Sequence, residues 1–263
     1  MLVSGIAAIV LYLASFAYLA ATIAHARPNR WVVLGLGLGA FVFHALTSAQ
    51  QTFVVDGFDF SLMRVSSIIF LTINLMVLLS SAHRPVFSLL LPLQPLTAIV
   101  LAGSLLLDSS MEPWQTLPPS MGFHVIVSIL AYSMLTLSVF QALLVGYQNV
   151  QLHHRHPGGL VRALPPLQTM EALLFEIIWA GFLLLTIALV SGFLYNDNFF
   201  ARNVLHKAVF SIIGWVVYAI LLWGHHSKGW RGMIAIRWTA GGFMALALAY
   251  WGSKLVIEYI LPA

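Results

Sequence analysis

Long apolar runs, each closed by a short polar break, dominate the chain. Eight of them stand at about 3–24, 31–48, 60–81, 86–107, 122–147, 172–195, 203–223 and 238–260. The breaks carry turn and charge signals: HARPNR after the first run, VVDGFD after the second, AHRP after the third, DSSMEPWQTLPPS after the fourth and HHRHPGGLVRALPP after the fifth. Crossing the hydrocarbon core of a bilayer takes about 20 apolar residues in a helix. The pattern therefore predicts an all-α polytopic membrane protein, a single transmembrane domain over residues 1–263 with about eight helices. Neither an internal repeat nor a low-complexity segment is evident.

Composition sharpens this. The chain is 60% hydrophobic and 8% charged, with mean hydropathy +0.94, where a soluble domain carries about a quarter charged residues. No soluble domain of useful size fits anywhere. Cysteine is absent, which excludes disulfides, thiolate metal sites, thiol nucleophiles and covalent haem attachment through Cys-x-x-Cys-His. The formal charge of +4 does not point to nucleic acid, because the basic residues fall in short loops between apolar runs. The expected surroundings are lipid.

Those loops set the orientation. Arg27, Arg30, Arg84, Arg155, Arg162, Lys228, Arg231 and Arg237 follow the odd-numbered runs. The opposite face holds Arg64, Arg202, Lys207 and Lys254, together with Asp56, Asp59, Asp108, Glu112, Asp197 and Glu258. Both termini are predicted outside, with the HHRH and HHSKGWRG loops inside. The triplet AHA at 24–26 resembles a signal-peptidase site, but no Lys or Arg precedes Arg27 and the first run is long for a cleaved leader. The first helix is expected to be retained.

The outer ends of the helices collect unusual side chains. His206 and Lys207 open the seventh helix, and His124 opens the fifth within GFHVIVSILAY. His44 lies 13 residues beyond Trp31, in the outer part of its helix at about 1.5 Å per residue. Arg64 is near the outer end of the third helix, and Lys254 is in the outer part of the eighth. These cations run against the loop bias, and ionisable groups in a membrane helix are costly unless paired. Local partners are Asp56, Asp59, Glu258 and lipid phosphate. Lys254 and Glu258 stand at i,i+4, and Lys254 can also snorkel to the headgroups.

A haem site would use the same residues. Iron takes a neutral imidazole as axial ligand, the propionates take Arg or Lys, and the porphyrin takes an apolar cleft. His124 and His44 are the candidate iron ligands, Arg64, Lys207 and Lys254 are the candidate propionate contacts, and His206 joins the candidate cofactor-binding residues by its position. Ordinary polar packing between helices and a different anionic ligand remain open alongside it.

Other features point elsewhere. His153 to His156 (HHRH) have metal-binding residue types but sit in an inner loop with Pro157 and two glycines. His225 and His226 end the seventh helix, where a histidine suits the negative end of the dipole. Glu176 could relay protons or pair with an inner-loop Arg. The tryptophans mostly mark helix ends, as an aromatic belt requires; Trp114 differs, lying in an outer loop. Phosphate-binding glycine loops, paired catalytic carboxylates and Ser/His/Asp constellations are not found.

Three stretches carry a family resemblance: HVIVSILAYSMLTLSVFQALL, LPPLQTMEALLFEIIWAGFLLLTIALVSGFLY, and LHKAVFSIIGWVVYAILLWGHHSKGWRG with the helix that follows. Together they resemble the cytochrome c assembly membrane-protein family, and most closely its bacterial inner-membrane YpjD/HemX-like branch. The resemblance implies an eight-helix protein of the bacterial inner membrane that handles haem at its outer face. His124 matches the family's outer histidine, Lys207 a lysine leading into its W-x-x-Y helix, His225 the histidine ending that helix, and His44 a histidine common in the nearest branch. His206 has no counterpart and rests on position alone.

The family's W-G-x-x-W-x-W-D haem cradle is absent: NDNFFARNVLHK, between the sixth and seventh runs, holds no tryptophan. A soluble outer domain and a second outer histidine after the eighth helix are also absent. The expectation is thus a non-covalent haem-binding accessory, not a lyase, with haem-synthesis or cytochrome c maturation proteins as partners. One rival is a regulatory membrane protein that binds a partner without haem. The other is a transporter of a small anion or haem precursor, for which Pro92 and Pro95 would interrupt the fourth helix.

Overall fold

A computed structural model describes residues 1–23, 28–55, 57–81, 87–107, 116–153, 161, 164–195 and 202–256. Among these, eight helices are long and apolar enough to cross a membrane. They are α1 (Leu2–Ile23), α2 (Arg30–Thr52), α3 (Leu62–Ser81), α4 (Leu90–Leu106, entered through a 3-10 turn Phe87–Leu89), α5 (Pro119–His153), α6 (Leu167–Tyr195), α7 (Arg202–Lys228) and α8 (Met233–Leu255). All eight predicted runs are helices. The Lys/Arg bias of the sequence is the basis for calling one end of each helix outer.

Several helices outrun their apolar segments. The fifth continues to His153 and the seventh to Lys228, past the predicted 147 and 223. A helix leaving hydrocarbon already satisfies its own backbone, so it stops at a stop signal and not at the edge of the apolar run. In α7 that signal is Gly229 at φ 65, whose N–H bonds the His225 carbonyl at 3.1 Å, an αL cap. His225, His226 and Lys228 fill the last turn, as the helix dipole favours.

The fourth helix corrects an expectation. It is unbroken from Leu90 to Leu106 with Pro95 inside it. Pro92 falls in the first turn, where an N–H has no intrahelical acceptor to lose, and neighbouring membrane helices accommodate the second proline. The α2–α3 connection also holds a two-residue hairpin, β1 (Phe53–Val54) against β2 (Gly57–Phe58), turning at Gly57 with φ 132.

Contacts divide the chain into two compact units: Met1–Gln115 with Val150–Pro166, and Thr116–Asn149 with Leu167–Ala263. In the first unit α1 packs on α2 and α4, and α3 on α2 and α4, around Ala8, Tyr12, Ala40, Ala98 and Leu101. Small residues let these backbones approach. The same interior buries further aliphatic side chains, among them Ile73, Leu90 and Leu93, and polar ones, among them His44, Asn74 and Gln94.

The second unit has an aliphatic and aromatic core that includes Leu135, Leu174, Ile178, Tyr218, Leu221 and Leu246. Its helices close over glycines. A Cβ on Gly181 would lie 2.6 Å from Leu135 Cδ2, and one on Gly242 would lie 2.8 Å from the Tyr218 ring. Toward its outer end α8 widens into a π-helical turn at Leu248–Gly252 before resuming as α-helix at Ser253–Leu255.

Adjacent glycines on α8 give a direct test of this packing. Gly241 faces open space whereas Gly242 faces a rigid ring. Gly242→Ala should destabilise the protein by about 1–3 kcal/mol through overpacking. Gly241→Ala should leave it unchanged or slightly stabilised. Thermal unfolding of both variants in the same detergent reads the difference.

Candidate outer-face ligand site

His124 lies in the second turn of α5 and is half-buried. Its Nδ1 is 3.1 Å from Ser191 Oγ on α6. Ser191 spends its own hydroxyl proton on the Ala188 carbonyl at 3.0 Å. The Ser191 oxygen therefore accepts, Nδ1 carries the hydrogen, and Nε2 is left with its lone pair. Nε2 lies 3.5 Å from Ser128 Oγ, too long for a strong bond. Behind the ring is Gly192, where a Cβ would sit 2.8 Å from His124 Cε1. Glycine makes room for the imidazole and serine sets its tautomer. Anchoring one ring nitrogen to orient the other is how proteins prepare a metal-binding histidine.

The other candidates of this unit stand at the outer ends of their helices. His206 and Lys207 are in the second turn of α7, both half-buried. Lys254 is buried in the last turn of α8, its Nζ 5.8 Å from the Tyr250 ring centroid. Tyr250 and Trp251 approach Tyr132 of α5 with centroids 5.7 and 6.2 Å apart. The π-turn supplies these aromatics and leads directly into Lys254. A cation over an aromatic face gains about 0.5–2 kcal/mol, more as it is desolvated, which offsets part of the cost of its depth.

His44 and Arg64 belong to the first unit. His44 is fully buried, with Nδ1 3.2 Å from Tyr12 Oη and Nε2 2.8 Å from Ser67 Oγ. Both ring nitrogens are engaged. Arg64 forms an ion pair with Asp59 and donates from Nη1 to the Gln51 carbonyl at 3.2 Å; Asp59 also accepts from the Ser61 N–H at 2.9 Å. Of the expected local anions, Asp59 takes Arg64. Asp56 and Glu258 lie outside the described residues, as do Trp114 and residues 154–156 of the HHRH run.

At the inner end of the second unit, His225 Nδ1 donates to the Trp230 carbonyl at 2.7 Å, and its ring stacks on Phe175 with centroids 3.5 Å apart. Lys228 lies over Trp223 and Trp230 at 5.3 and 5.9 Å. Glu171 accepts from the Gly232 N–H at 2.9 Å and so ties α6 to the α7–α8 turn. Glu176, the carboxylate singled out from sequence, is exposed on α6. Among the described residues no three of His, Cys, Asp and Glu converge as a metal chelate.

Sequence reasoning found His124 but missed what prepares it. Ser191 and Gly192 are 67 and 68 residues away, and Ser-Gly in a membrane helix reads as ordinary small-residue packing.

Comparison with known proteins places the chain. Residues 34–261 match the cytochrome C assembly protein family. The chain belongs to that family. Among relatives of this family, the inner membrane protein YpjD of Escherichia coli (strain K12) is 32% identical over 226 residues, 84% of each chain. An uncharacterized 28.8 kDa protein of Azospirillum brasilense is 31% identical over 140 residues, 52% of each chain. The cytochrome c biogenesis protein CcsA of Prochlorococcus marinus (strain NATL1A) is 30% identical over 91 residues, covering 34% of this chain and 29% of the relative. No solved structure matches. This family member is an integral inner-membrane protein.

The tautomer assignment is open to spectroscopy. In protein labelled with 15N at histidine, His124 should show the Nδ1–H pattern, and Ser191→Ala should shift it toward a mixture of tautomers. An unchanged pattern in Ser191→Ala would show that Ser191 does not hold the ring.

Proposed function

We propose that this protein binds haem non-covalently from the outer side of its second unit and serves haem or cytochrome c metabolism as an accessory, not a lyase. The observation that carries the reading is His124, whose Nδ1–H is anchored by Ser191 while Nε2 makes no strong hydrogen bond. That is the donor state an axial imidazole needs.

In this reading Nε2 of His124 ligates the iron. Lys207 and Lys254, with His206 beside Lys207, provide positive charge and hydrogen bonds for the propionates at the outer membrane face. Tyr132, Tyr250 and Trp251 supply apolar surface at the same end of the unit. Bound haem would contribute a redox-active iron that can be handed on or kept. His44 and Arg64 have their donors and acceptors committed inside the first unit, so the proposal gives them no ligand role. Without cysteine the chain itself can hold haem only by coordination and contact. The CcsA relatives, named for cytochrome c biogenesis, support haem or cytochrome c maturation proteins as partners.

The deciding measurement is an absorption spectrum of protein purified in mild detergent from haem-supplemented cells. Wild type should show a Soret band near stoichiometric with protein, and His124→Ala should lose or shift it. Ser191→Ala should bind about 10–100-fold more weakly, as removal of an orienting partner does. His153→Ala, at the inner end of α5, should match wild type. Well-folded wild-type protein without a band would reject haem binding and leave a partner-binding membrane protein as the reading of the same fold.

A further inference from the structure

The end of the second unit opposite His124 carries a basic patch that haem binding does not use. Residues Gly229–Gly232 turn α7 into α8, and both packing and hydrogen bonds fix them. Gly229 and Gly232 stand at φ 65 and 59, where a side chain is rarely tolerated. Trp230 donates its N–H to the Gly224 carbonyl at 3.2 Å, and its own carbonyl accepts from His225. The Trp230 ring lies on Gly224, where a Cβ would be 2.3 Å from Cε3. It also meets Trp238 of α8, with centroids 5.4 Å apart. Glu171 of α6 holds the Gly232 N–H. The turn is a fixed platform.

Three cations stand on or beside this platform. Lys228, Arg231 and Arg237 are exposed, and among the described residues none of them pairs with a carboxylate. Glu171, the carboxylate that touches the turn, spends Oε1 on a backbone N–H. Lys228 is held in place, with Nζ 5.3 and 5.9 Å from the Trp223 and Trp230 ring centroids. An exposed lysine ordinarily loses much side-chain freedom when it meets an anion; here the two rings restrict it beforehand. Apolar surface adjoins the charge. Trp223 is 61% exposed on α7, and Met233 and Ile234 at the start of α8 are 43% and 47% exposed. The membrane spans 206–228 and 233–255 meet at this turn, which therefore lies at headgroup level. A free anion would use the cations and leave Trp223 and Ile234 unmet, whereas an anionic amphiphile uses both.

We propose that this patch binds an anionic phospholipid as an individual molecule. Its phosphate lies at Lys228 and Arg231, its acyl chains run along Trp223 and Ile234, and Arg237 adds charge one turn into α8. A guanidinium can grip a phosphate through two parallel hydrogen bonds, and an ammonium meets it as a point charge. Each Lys or Arg at a membrane surface favours an anionic headgroup by about fivefold in affinity. Because Glu171 ties α6 to the same turn, a lipid seated there braces three helices of the unit. The patch and His124 occupy opposite ends of that unit, so this inference does not rest on haem binding.

Native mass spectrometry of the purified full-length protein tests the idea. Phosphatidylglycerol and phosphatidylcholine of equal chain length are added together in equal amounts. Wild type should retain one phosphatidylglycerol per chain in preference to phosphatidylcholine. Lys228→Gln should lower that preference about fivefold, and combining it with Arg231→Gln and Arg237→Gln should abolish it. The single variant decides the matter should the triple one misassemble. Arg30→Gln, the same charge change at the exposed start of α2 in the other unit, should match wild type. Trp223→Ala should weaken retention, and inorganic phosphate equimolar with the lipid should not displace it. Equal retention of the two lipids by wild type would overturn the proposal, as would a preference that these Gln variants of the patch keep in full. Displacement by inorganic phosphate, or undiminished retention in Trp223→Ala, would equally overturn it, because either reduces the patch to a site for a bare anion.

Discussion

Inside hydrocarbon a polar atom has no water to turn to, and the architecture of this protein follows from how each such atom finds a partner. The backbones solve the problem by forming helices. The side chains solve it across helices, as in Asn74 with Thr97, Gln94 with Ser15 and Trp215 with Thr186. An interhelical hydrogen bond in a membrane is worth only about 0.6 kcal/mol on average. Leaving its members apart in lipid is what costs more. The bonds therefore decide which helix faces meet, while close packing over glycines such as Gly181 and Gly242 supplies the cohesion.

Both units follow this rule. In the first, buried polar side chains such as His44, Asn74 and Gln94 lie among aliphatic ones such as Ile73, Leu90 and Leu93. In the second, Ser138, Gln141 and Thr239 are buried as well, beside an aliphatic and aromatic core, while His124, Lys207 and Lys254 stand at the outer ends and Glu171, His225 and Lys228 at the inner ends. Titratable side chains at a helix end keep access to headgroups and solvent, which suits exchange of a ligand. An imidazole sealed at the centre of a bundle has only its hydrogen-bonded neighbours. His124 and His44, both histidines in the outer half of a membrane helix, thus meet opposite environments.

The fold was legible because twenty apolar residues in a row have few alternatives, and all eight helices follow from that. Their ends were less so. The fifth and seventh helices carry polar residues well past the apolar run, and only the cap at Gly229 reveals where the seventh stops. His124 could be singled out because a histidine opening an outer helix stands alone in its run. Its partners could not, since Ser191 and Gly192 become special only when α6 lies against α5. Arg64 shows the reverse case: its anion, Asp59, is five residues away, and the simplest local pairing is the one that forms. Glu171 was overlooked because its partner is a backbone N–H, which no side-chain pattern announces.

The π-turn at Leu248–Gly252 has a bearing on how this chain should be aligned with its relatives. A π-turn holds one residue more than an α-turn, and so amounts to a single insertion absorbed without breaking the helix. Every side chain beyond it is rotated by about 100° relative to an uninterrupted α-helix, which sets the face on which Lys254 lies. A relative with the same residues but no widened turn would present its lysine on another face. An ungapped alignment through this stretch would equate two side chains that occupy different places in their bundles.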